Sequence, residues 1–212
     1  MSTKAPVFEE TLRNYLAQVA RIDPAGIAET LAISVEQGEA IIPFLGKTYR
    51  VSRAGVRDES GAEPIHAVSI VLCRYLILAP QEFPRRGEDW VSYKDFKDAA
   101  PFVGGFVNNS ERAVARHFSG HLDRLREAAG QLQAGPPGLD LSYQFAARFE
   151  ALPRVPILLL FNDEDEDFPA QCSLLFQRRA EKFLDMECLA IIGWLLADTL
   201  AQKAGLSGRT VM

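Results

Sequence analysis

The chain has 212 residues, 48% hydrophobic and 24% charged, enough apolar material for a sizeable core and too balanced for a disordered chain. With 28 acidic and 23 basic residues the net charge is -5, which argues against general nucleic-acid binding. Three widely spaced cysteines (Cys73, Cys172 and Cys188) with no C-x-x-C pair argue against a disulfide framework, an iron–sulfur cluster or a structural zinc held by this chain alone.

The opening residues lack a charged-then-apolar pattern, so no secretion signal is expected. The longest apolar stretches fall short of the roughly 18 residues of a membrane span, and the expected compartment is the cytoplasm. Phe8, Leu12, Leu16 and Val19 share one stripe and predict a helix over 8–20. Asp23 followed by Pro24 is a cap and a first helical position, opening a short helix to about residue 31. Residues 40–45 and 48–52 read as two strands about a tight turn at Gly46, with Pro43 placing the first at an edge or bulge. A third short strand is expected at 55–57 and a polar loop at 58–63.

Pro64 starts a helix to about residue 79, whose apolar positions (Val68, Val71, Leu72, Tyr75 and Leu76 among them) cover much of its surface and make it central. His66 in its first turn reads as structural. Residues 90–93 form a short strand, and Gly104-Gly105 marks a turn or a close backbone approach. Asn108 with Glu111 resembles a capping box opening a helix to about 118. Ser119 caps another, with Leu122, Leu125, Ala129 and Leu132 as its core stripe. Residues 139–150 alternate loosely as a strand. Asp185 caps a long final helix reaching about Lys203, stopped by Gly205, and 207–212 is a frayed tail.

The chain is organised around residues 153–176. A continuous apolar run, 155–161, suits a strand buried on both faces. A second strand covers 170–176. Between them stand Asp163, Glu164, Asp165, Glu166 and Asp167, then Phe168 and Pro169. Five consecutive like charges cannot be buried unpaired, so the loop is exposed. These acids equal the whole charge excess, so the loop is a localised anionic knob on a balanced chain. Asp163, Asp165 and Asp167 have alternating spacing suited to a hard cation, but Phe168 stands where an EF-hand needs Gly and Leu174 where it needs Glu.

These residues resemble a bacterial and archaeal domain-of-unknown-function family. The resemblance rests on Pro153 and Pro156 around the first strand, on the acidic loop ending in Phe168-Pro169-Ala170, on Leu174 to Phe176, and on Asp185 and Glu187. The strand at Trp90, Gly104-Gly105 and 139–143 add to it. The family has no established activity and so supplies no catalytic residues. Some of its relatives are joined to four-cysteine iron–sulfur segments of the kind found in corrinoid proteins, which this chain lacks. The resemblance therefore implies a separate redox or corrinoid partner.

Other chemistry finds little support. His117 and His121 are four apart, but Ser119-Gly120 breaks the helix between them and no zincin Glu follows. No nucleophile elbow, P-loop or dinucleotide fingerprint occurs, and no motif encodes a cofactor. Cys172 sits near acids, which raise rather than lower a thiol pKa. Arg148, Arg154, Arg178 and Arg179 flank the hairpin, with Asp185 and Glu187 after it, a set suited to salt bridges or to an anionic ligand.

The expected fold is α+β, a single domain over 1–206 with a mixed, mostly antiparallel sheet covered by helices, including the long C-terminal one. The expected function is a non-catalytic accessory or interaction domain docking through Asp163–Phe168, with Arg154 and Glu187 as further contacts and no nucleic acid or membrane. The alternative is a metal-dependent enzyme or small-ligand binder using Asp163, Asp165 and Asp167.

Overall fold

The N-terminal stripe folds as α1 (Pro6–Val19), and α2 (Pro24–Leu31) opens on Asp23, whose carboxylate accepts the Ala25 N–H at 3.0 Å. Then come β1 (Ser34–Glu36), β2 (Glu39–Phe44), β3 (Lys47–Ser52) and β4 (Gly55–Asp58), an antiparallel meander in that order. Two of its turns are two-residue turns with both φ positive, at Gln37-Gly38 (53° and 79°) and Leu45-Gly46 (47° and 76°), the geometry that matches strand twist. Strand β1 was not expected from the sequence. It pairs only as far as Ile41, so Pro43 lies beyond its end, where a missing N–H leaves no partner unsatisfied.

The computed structural model describes residues 6–206, and the tail expected to fray at 207–212 lies outside the described residues. Helix α3 (His66–Ile77) buries Val68, Val71, Leu72, Cys73, Tyr75 and Leu76, the all-round burial its composition predicts. Tyr75, fully buried, donates its hydroxyl to the Leu31 carbonyl at 2.8 Å and so fixes α3 to the end of α2.

A second sheet is built from β5 (Trp90–Ser92), β6 (Phe145–Leu152), β7 (Val155–Asn162) and β8 (Gln171–Gln177), in the order β5-β8-β7-β6. Every residue of β7 but the last is buried, as its unbroken apolar run requires. Pro156 cannot donate to the ladder, and the register with β6 shifts beside it, between Glu150 and Leu152. Among the described residues the β structure is thus two four-stranded antiparallel sheets. The Leu45 N–H joins them by donating to the Ala151 carbonyl at 3.0 Å, and one buried cluster runs through both.

The helical layer differs from expectation between residues 103 and 122. Gly104 and Gly105 lie inside α4 (Val103–Phe106), not in a turn, and a Cβ at either would meet nothing within 4 Å. No capping box forms at Asn108, because the backbone passes straight from α4 through a π turn (Val107–Glu111) into α5 (Arg112–Phe118). Ser119 does not cap α6 (Leu122–Gln131), whose cap position is His121. The strand expected from 139 begins only at Phe145, and Leu139 and Tyr143 are exposed.

Helix α7 (Met186–Lys203) packs on α3, α4, the π turn, α5 and α6. Asp185 caps it through the Cys188 N–H at 2.8 Å, and Gly205 (φ 67°) follows its end, both as expected. The architecture is α+β with a long C-terminal helix. Among the described residues no helix is long and apolar enough to cross a membrane.

Candidate functional site

The last rung of the β7–β8 ladder is Asn162 opposite Gln171, so the loop proper is 163–170. Its base is clamped by Gln144, just before β6. The Gln144 N–H donates to Asn162 Oδ1 at 3.1 Å, and Gln144 Oε1 accepts the Asp163 N–H at 3.0 Å.

The five acids do different work. Asp163 Oδ1 accepts the Gly120 N–H at 2.7 Å and the Glu164 N–H at 2.9 Å. Glu164 Oε2 accepts the Ser119 hydroxyl at 2.7 Å. Both acids are therefore spent on the turn between α5 and α6. Gly120 has φ 70°, which favours glycine, and a Cβ there would stand 3.3 Å from Glu164 Oε1, a tight approach. Asp165 closes its own turn: Oδ1 accepts the Asp167 and Phe168 N–H groups at 2.9 and 2.8 Å, while its N–H donates to the Phe168 carbonyl at 2.9 Å. Glu166 and Asp167 make no side-chain hydrogen bond to another described residue, and no ion pair among the described residues involves the loop.

The loop is thus a held anionic projection. Beside its acids Phe168 is 64% exposed, and Tyr143, next to the Gln144 clamp, is 41% exposed. His117 and His121 flank the Ser119-Gly120 contact. Among the described residues no group of three or more His, Cys, Asp or Glu is placed to hold a metal ion. Asp163 and Asp165 point their oxygens at two different sets of N–H groups, and the Asp167 carboxylate joins neither.

Arg154 and Glu187 stand elsewhere. Arg154 precedes β7 and the acidic loop follows it, a separation of roughly 25 Å along an eight-residue strand. The Arg154 guanidinium donates to the Thr30 and Glu29 carbonyls, each at 2.9 Å, and lies 4.4 Å from the Phe83 ring centroid. It neutralises the carbonyl end of α2. Glu187 lies in the first turn of α7. The remaining arginines are paired away from the loop, Arg178 with Asp89, Arg179 with Glu88 and Arg148 with Glu150. The structure does not gather these arginines into one pocket beside the loop.

The cysteine thiols are not poised as nucleophiles. Burial pushes the Cys73 thiol up to about 12 and also raises Cys188, and burial with Glu111 nearby raises Cys172. Sequence reasoning missed Glu111 in its real role. Its carboxylate leaves the π turn to accept the Leu174 N–H of β8 at 3.0 Å, where β5 no longer pairs. Burial raises its pKa. The available signal was an acid in an otherwise apolar and amide-rich stretch, which the capping-box pattern explained away.

The model of the family described as Domain of unknown function (DUF3786) matches residues 23–199, so the chain belongs to that family. No curated protein and no solved structure matches it.

Proposed function

We propose that this DUF3786 member is a non-catalytic interaction domain that docks a basic partner protein through the loop Asp163–Phe168. The observation that carries this reading is the division of labour among the acids. Asp163, Glu164 and Asp165 hold the loop in one shape, and that shape presents Glu166 and Asp167 unpaired beside an exposed Phe168. A loop fixed before binding loses less conformational freedom on association. Unpaired acids steer a cationic surface toward it, and an exposed aromatic among charges is the usual composition of an anchor.

The redox or corrinoid iron–sulfur proteins suggested by the resemblance are the first partners to assay. Association of the wild-type chain is measured at rising ionic strength against Glu166→Lys/Asp167→Lys and Phe168→Ser variants. The charge reversal slows association and flattens its salt dependence, while loss of the ring speeds dissociation. A partner bound equally well by both variants at high salt does not use this loop, and the proposal is then wrong for that partner.

A further inference from the structure

A cleft of 550 Å³ opens between the β2–β3 hairpin, the start of α3 and the end of α7, on elements separate from the acidic loop. That volume falls within the usual range for small-ligand sites. Its floor is apolar: Phe44, Leu45, Val68 and Leu195 are all buried residues that reach it, and Ile65 at its mouth is 56% exposed. Its polar groups are unequally occupied. Asp58 accepts the Ser60 and Ala62 N–H groups and the Ser60 hydroxyl, Glu63 faces Arg57 at 3.5 Å, and Asp198 accepts from Gln202 at 2.6 Å. Lys47 and Lys203 also line the cleft, and neither makes an ion pair among the described residues. Tyr49 is 6% exposed as a residue, but its hydroxyl is not buried and makes no hydrogen bond among the described residues. It is therefore a donor open to a group that enters the cleft.

We infer that this cleft binds a small amphipathic carboxylate, its apolar body on Phe44, Leu45, Val68 and Leu195 and its head at Lys47, Tyr49 and Lys203. Asp58 and Asp198 accept hydrogen bonds within the chain and Glu63 faces Arg57. Lys203 and the Tyr49 phenol, by contrast, make no hydrogen bond or ion pair among the described residues, and Lys47 makes none beyond its electrostatic influence on Asp58. The apolar floor excludes a simple inorganic anion as the best fit, because it contributes nothing to holding one.

The probe is octanoate, with octylammonium and octan-1-ol as head-group controls, added to the full chain. Octanoate raises Tm by mass action, saturates in calorimetry, and moves the amide resonances of residues 44–49 and 195–203. A Lys47→Glu/Lys203→Glu variant that keeps the wild-type circular dichroism binds octanoate at least about tenfold more weakly, and octylammonium gains instead. Both lysines are exposed, so the fold tolerates the change, and the single Lys47→Gln and Lys203→Gln variants provide milder versions. Undiminished octanoate binding in the double variant, an equal wild-type response to octylammonium, shifts mapped elsewhere, or no saturable binding would each overturn the inference.

Discussion

The Asp185 carboxylate accepts Arg74 Nε and Nη2 through one oxygen, at 2.9 and 2.6 Å, while its other oxygen accepts the Cys188 N–H at 2.8 Å. One side chain therefore both caps α7 and fastens it to α3, over a sequence separation of 111 residues. The Tyr15 ring lies 5.3 Å from the same guanidinium and brings α1 into the joint. Asp185→Ala loses the cap and strands a half-buried arginine, so it costs about 2–3 kcal/mol in urea unfolding. Arg74→Met keeps the cap and most of the packing, so it costs less than Asp185→Ala. Equal losses would show that the ion pair, not the cap, dominates.

Gly193→Ala tests the closest helix approach. A Cβ at 193 would lie 2.5 Å from Phe106 Cε2 and 2.9 Å from Ser110 Oγ. Phe106 cannot swing aside freely, because Tyr93 stacks on it at 4.3 Å and 15°, and Tyr93 is itself tied to the Met186 carbonyl. Alanine favours helix by nearly 1 kcal/mol over glycine, yet overpacking a rigid site costs about 1–3 kcal/mol. The net change is a fall in Tm, checked by thermal melts with the exposed Gly130→Ala, also within a helix, as the control that should stabilise.

Glu111 gives a pH prediction with a definite sign. Burial raises its folded pKa above the unfolded value, opposed by the Leu174 N–H and by Lys94. Ionising it in the folded state is therefore harder than in the unfolded chain. The resulting stability contribution is fully present below the unfolded pKa and is lost as pH rises through the folded one. Glu111→Gln keeps an acceptor for Leu174 and removes the buried charge. Its stability relative to wild type rises with pH through that window and levels above it. Parallel denaturation of both proteins from about pH 4 to 8 measures the difference, and a gap that does not change with pH would contradict the assignment.

What could be read in the sequence was local. The strand Val155–Asn162, the Asp23 and Asp185 caps and the hairpin at Gly46 each depend on residues within a few positions, and each appears where its pattern places it. The acidic loop was found the same way, since charge density needs no fold to be seen. What escaped was contact between distant segments. Ser119 looked like a helix cap because caps and partners use the same hydroxyl, and only the fold brings Glu164 to it. Arg154 and the loop looked like neighbours on paper because a strand between them is short in residues but long in space. The division of the β structure into two sheets also depends on pairing, which alternation alone does not specify.

The acids of the loop separate by mutation into holding and presenting groups. Asp163→Ala removes the acceptor of the Gly120 and Glu164 N–H groups, and with it the fixed end of the loop. It should cost about 1 kcal/mol, in line with loss of a cap-type carboxylate. Glu166→Lys/Asp167→Lys removes no hydrogen bond to a described residue and relieves repulsion among five adjacent acids, so stability is unchanged or slightly higher. Phe168→Ser exchanges an exposed ring for an exposed hydroxyl and should be nearly neutral for folding. Urea unfolding of the three variants at low and at high salt checks the set. If Glu166 and Asp167 proved as important to stability as Asp163, the loop's whole charge would be structural and the docking reading would lose its free acids. If Asp163→Ala alone destabilises, the loop is a scaffolded display, and any loss of partner binding in the Glu166 and Asp167 variants belongs to the interface rather than to the fold.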